Sequence, residues 1–175
     1  MIVSQIRSIL DNVVVDSRNT QYIINVFCDL LHNHVNRLSV EPVEMQDYLL
    51  FDETQALLKH LEQYDFNYLS HSLMSSFEAA ENAFINDNRP EIISFLYNLE
   101  TVFTKYLNYI LCIDDTVSSF NNLFKQTNTE SPYDNVSSNL KHTFNEQKYM
   151  LEKYLQYIHN LIQLFSQPTE TPPKI

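Results

Sequence analysis

The residues that could do chemistry are scattered. Helical scaffolds build di-iron sites from two Glu-x-x-His pairs plus carboxylates on two further helices. Asp29-Leu30-Leu31-His32 supplies one imperfect half of such a set, and the chain has no second half. His142 and Glu146 stand four apart and share a helical face, but Lys141, Gln147 and Lys148 surround them as a solvated face would. His32 and His34 stand two apart, so on a helix they point in nearly opposed directions. The six histidines therefore read as solvated or internally satisfied, and neither a metal nor a cofactor is expected.

Nucleophilic and acid–base patterns are equally sparse. Gly-x-Ser-x-Gly and Cys-x-x-Cys are absent. Cys28 and Cys112 lie in the apolar runs Val26-Phe27-Cys28 and Ile110-Leu111-Cys112-Ile113, so both read as buried thiols in a reducing compartment, with a bridge between them left open. Glu78 and Glu81 could pair as acid and base, yet their neighbours Ala79, Ala80, Asn82 and Ala83 describe an exposed acidic face. Arg7, Arg37 and Arg89 lack the histidine spacing of helical nucleases. No catalytic residue is nominated, and the chain is expected not to be an enzyme.

Charge is the pattern that remains. The formal net charge is −11, which disfavours neutralising nucleic-acid phosphates or adsorbing to an anionic membrane. Between positions 41 and 87 ten carboxylates face a single lysine, Lys59, whereas the chain from Arg89 onward is close to balanced. Such a surface keeps a protein in solution, and it also suits docking to a basic or mixed protein partner. The candidate protein-binding residues are Glu41, Glu44, Asp47, Tyr48, Phe51, Asp52, Glu53, Glu62, Asp65, Glu78 and Glu81, in which Tyr48 and Phe51 supply aromatic anchors beside the charges.

The elements that position these residues are helices throughout. Glycine is absent, and hairpins, phosphate-binding loops and Rossmann turns depend on its access to positive φ. Ile2, Ile6, Ile9, Leu10 and Val13 predict a first helix ending near Val15, with a break at Asp16-Ser17-Arg18-Asn19. A second helix carries Ile23, Phe27, Leu30, Leu31, Val35 and Leu38. Positions 39–52 have no clear pattern, and Asp52-Glu53-Thr54-Gln55 resembles a capping box that opens the next helix. Another follows Asp65-Phe66-Asn67. Pro90 opens a helix to about Ile113 that is apolar most of the way round, as a central helix would be. Asp114-Asp115-Thr116 caps a short helix, and a long one runs from about 135 to 165.

The expectation is an all-α, single-domain bundle of six to seven helices around a largely apolar central helix (90–113). Residues 1–166 form the domain, and the Pro-containing tail, 167–175, reads as disordered. Signal-like and membrane-spanning segments are lacking, so a cytoplasmic protein is expected, in the host cytoplasm if the gene is viral. Abundant Asn, Tyr and Ile fit an AT-rich genome, including those of phages and large viruses. A mostly apolar helix wrapped by amphipathic ones is similar to the apoptosis-regulator bundle, whose resemblance implies helix-in-groove modulation of host signalling. That family's Asn-Trp-Gly-Arg signature has no counterpart here, since Trp and Gly are both absent. Three functions stay open: an interaction module of the inhibitor, immunity, chaperone or adaptor type; a structural subunit of a homo-oligomer or larger assembly, packing through the 135–165 helix; and a viral helical-bundle modulator of host signalling.

Overall fold

The structure is a computed structural model that describes residues 1–40, 45–126 and 131–168, with side chains described for 1–37, 51–126 and 131–168. Among these residues there are five helices and no strand: α1 (Ile2–Val40), α2 (Met45–Glu62), α3 (Phe66–Ile85), α4 (Arg89–Gln126) and α5 (Asp134–Ser166). None is long and apolar enough to cross a membrane.

The buried residues of the long helices repeat at alternating steps of four and three. On α4 the rhythm runs through Ile92, Leu96, Leu99, Phe103, Tyr106, Ile110, Ile113, Val117, Phe120 and Phe124, with Phe95 buried beside it. On α5 the same rhythm runs through Ser137, Leu140, Phe144, Gln147, Leu151, Tyr154, Ile158 and Leu161. On α1 it runs from Ile6 through Leu10, Val13, Ser17, Thr20, Ile24 and Phe27 to Leu31. A mean step of three and a half keeps one stripe turned toward neighbouring helices, the geometry of a coiled-coil-like bundle.

Cross-helix contacts fix the topology. Along α1, Arg7, Gln21 and His32 meet Glu81, the Phe66 N–H and Glu62, so α2 and α3 together descend antiparallel to α1. Ser76 meets Asn98 and His60 meets Thr116, placing α4 antiparallel to that pair. Lys141 with Asp114, and His159 with Glu100, set α5 against α4. Tyr157 with Gln5, and Gln147 with Thr20, close α5 onto α1. The result is an up-down-up-down four-helix bundle in which α2 and α3 share one side.

Two expected breaks do not exist, which is why the helices number five among the described residues rather than six to seven. Asp16-Ser17-Arg18-Asn19 lies inside α1, and Asp114-Asp115-Thr116 inside α4. Neither run holds proline, and the propensity penalty of such polar residues, about 0.5 kcal/mol each, is outweighed by the buried stripe continuing through them. Ser17 and Thr20 are themselves buried in that stripe. Thr54 likewise sits within α2, fully buried, because the helix begins at Met45 and not at the apparent capping box. Nor is α4 central: it is one side of the bundle and exposes Tyr97, Thr101, Lys105 and Leu111.

The real breaks have local causes. Asp65, in an extended conformation, caps α3 by accepting from the Tyr68 N–H at 2.9 Å. At the other end of α3, the Asn88 N–H reaches the Ala83 carbonyl and the Asp87 N–H reaches that of Phe84, a Schellman closure. That closure holds Asp87 at φ 51°, a position glycine would usually fill.

Candidate functional site

The bundle strings the described members of the nominated acidic set along one side instead of gathering them. Glu41 and Glu44 lie outside the described residues, as do the side chains of Asp47 and Tyr48. Asp52 and Glu53 are exposed on α2, and Phe51 beside them is half-buried. Glu78 is exposed on α3. From Glu53 to the end of α2 and from the start of α3 to Glu78 the helical rise adds up to about 30 Å. The remaining three already have partners. Glu62 meets His32 Nε2 at 2.9 Å, Glu81 binds Arg7, and Asp65 caps α3. Of the nominated carboxylates, those left without a partner among the described residues are Asp52 and Glu53 toward one end and Glu78 toward the other. Tyr68, 67% exposed on the first turn of α3, lies between them.

The other candidates resolve individually. His32 is exposed while His34 is buried against Tyr133, as their spacing requires. His142 and Glu146 form an exposed pair at 3.2 Å. Among the described residues no three His, Cys, Asp or Glu side chains converge as metal ligands would. Both cysteines are free. Cys28 is buried, and desolvation, followed by the charges of Glu62 and Asp29, pushes its thiol up to about 11. Cys112 is exposed, contrary to its apolar sequence context, because it falls on the outer flank of α4 while Ile110 and Ile113 take the buried positions.

Sequence reasoning missed a polar layer at the waist of the bundle. Gln147, deep in α5, donates to the Asp16 carbonyl at 2.9 Å and to Thr20 Oγ1. The Ser17 hydroxyl donates to the Val14 carbonyl, and the Tyr106 hydroxyl donates to the Phe66 carbonyl at 2.8 Å. Gln21 accepts the Phe66 N–H from across the interface. The layer therefore satisfies backbone groups where the chain divides α2 from α3. Burial, then the nearby Glu146 charge, raises the Asp16 carboxyl above its ordinary value, and burial drives the Tyr106 phenol far up. The sole clue in the sequence was the run of polar residues read as a break.

The fold and these surfaces define a class, an antiparallel four-helix bundle with one divided side, a waist of buried polar groups and a sparse acidic flank. Compared with known protein families, curated proteins and solved structures, the chain matches none. The apoptosis-regulator likeness rested on a wrapped central helix, and α4 is not one.

Proposed function

We propose that the chain is a non-enzymatic protein-interaction module whose α2–α3 side engages a basic or mixed partner. The supporting observation is the set of exposed carboxylates Asp52, Glu53 and Glu78, unpaired among the described residues, flanking exposed Tyr68 on the side that carries the chain's charge excess. Separated charges of one sign steer a complementary partner and reject acidic competitors, while the aromatic contributes contact area. The test compares the wild type with Asp52→Lys/Glu53→Lys/Glu78→Lys as baits in the native host's lysate at low and high salt. A basic partner that the wild type retains, salt releases and the variant loses supports the reading, provided helical circular dichroism is unchanged. Equal retention by both baits refutes it.

Homo-assembly through the long C-terminal helix has less to rest on, since the apolar stripe of α5 is spent against α1 and α4. Sedimentation at several concentrations separates the two readings: a concentration-dependent mass would favour self-assembly.

A further inference from the structure

A groove of about 530 Å³ between α1 and α3 is lined by Val14, Arg18, Asn67, Ser70, His71 and Met74. Its chemistry runs against the character of the chain. In a molecule of net charge −11, no carboxylate lines it, and its one fixed charge is the Arg18 guanidinium. Among the described residues Arg18 makes no ion pair, and Asn67, Ser70 and His71 have no hydrogen-bond partner for their side chains. Ser70 is 5% exposed overall, and its hydroxyl, which has no protein partner among the described residues, meets the solvent of the groove rather than being enclosed.

We propose that this groove binds a phosphate monoester, with Arg18 as the charged clamp. Ser70, Asn67 and His71 supply further donors to the phosphoryl oxygens. Guanidinium presents a planar fork of donors suited to phosphate, and hydroxyl and amide donors complete the oxygen shell. Half-buried Val14 and Met74 form the apolar part of the wall and take the organic portion of the ester. The groove shares α3 with Tyr68 and Glu78, but its donors are a different set of residues from the carboxylates of the protein-binding reading, on which it does not depend.

Titration of the ¹⁵N-labelled full-length chain with inorganic phosphate, then phenyl phosphate, at fixed ionic strength tests this. Saturable amide shifts confined to positions 14–18 and 67–74 are expected, with phenyl phosphate binding several-fold tighter because of the apolar wall. Arg18→Gln should weaken binding about tenfold or more, as removal of a charge-assisted contact does. Ser70→Ala should weaken it about threefold yet leave the melting temperature unchanged, because the hydroxyl has no internal partner to lose. Shifts that fail to saturate, that spread over all cationic residues, or that survive Arg18→Gln would overturn the proposal.

Discussion

Tyr106 offers the sharpest test of the waist. It is 3% exposed, and its hydroxyl donates across the core to the carbonyl of Phe66, the first residue of α3. Tyr106→Phe removes one oxygen and leaves the ring and its packing against Phe66 in place. A buried neutral hydrogen bond contributes about 1–1.5 kcal/mol net. Unfolding entropy near about 2.1 cal/mol/K per residue gives roughly 0.37 kcal/mol/K for a chain of this length. The melting temperature should therefore fall by about 3–4 °C. Tyr154 is the internal control. It is 8% exposed, packs on Phe103 and makes no hydrogen bond through its hydroxyl among the described residues. Tyr154→Phe should stay within about 0.5 kcal/mol of wild type. The assay is thermal and urea unfolding followed at 222 nm, with hydrogen exchange read at residues 66–70. An equal loss in both variants, or none in Tyr106→Phe, would show that the bond does not hold the divided side to α4.

Two further outcomes follow from the buried groups. Ellman's reagent at pH 8 should titrate Cys112 rapidly and Cys28 only after denaturation, since a thiol pushed up to about 11 is roughly one part in a thousand thiolate at that pH and is also enclosed; two fast equivalents would contradict the burial of Cys28. Asp16 has a raised folded-state pKa, so its protonated form favours the fold and that contribution is lost as pH climbs from the unfolded value through the folded one. Asp16→Asn should therefore stabilise at pH 7 by less than about 1 kcal/mol, the carboxyl being partly exposed and screened. Its advantage should disappear in acid below the ordinary Asp value of 3.8. A variant less stable than wild type at pH 7 would contradict the assignment.

Much of the architecture was legible because helical burial is written in local spacing. The absence of glycine and the recurrence of apolar residues every three or four positions were enough for the all-α class, for the ends of α3 and for the start of α4 near Pro90. Helix number was not legible. Thr20 resembles a loop residue until its partner, Gln147, is brought to it from 127 residues away along the chain. Asp114 looks like a cap until Lys141 arrives beside it.

Charge divides the same way. The order of residues alone determined that the chain is acidic and that its excess falls between 41 and 87. Only the tertiary structure decided which carboxylates remain available, because Glu62, Glu81 and Asp65 are consumed by His32, Arg7 and the first turn of α3. It also decided that Arg18, Ser70 and His71, unremarkable in sequence, face one groove free of carboxylates. A sequence states which groups a chain carries. Which of them are spent on one another depends on distances of a few ångströms between segments far apart in the chain, and folding alone sets those.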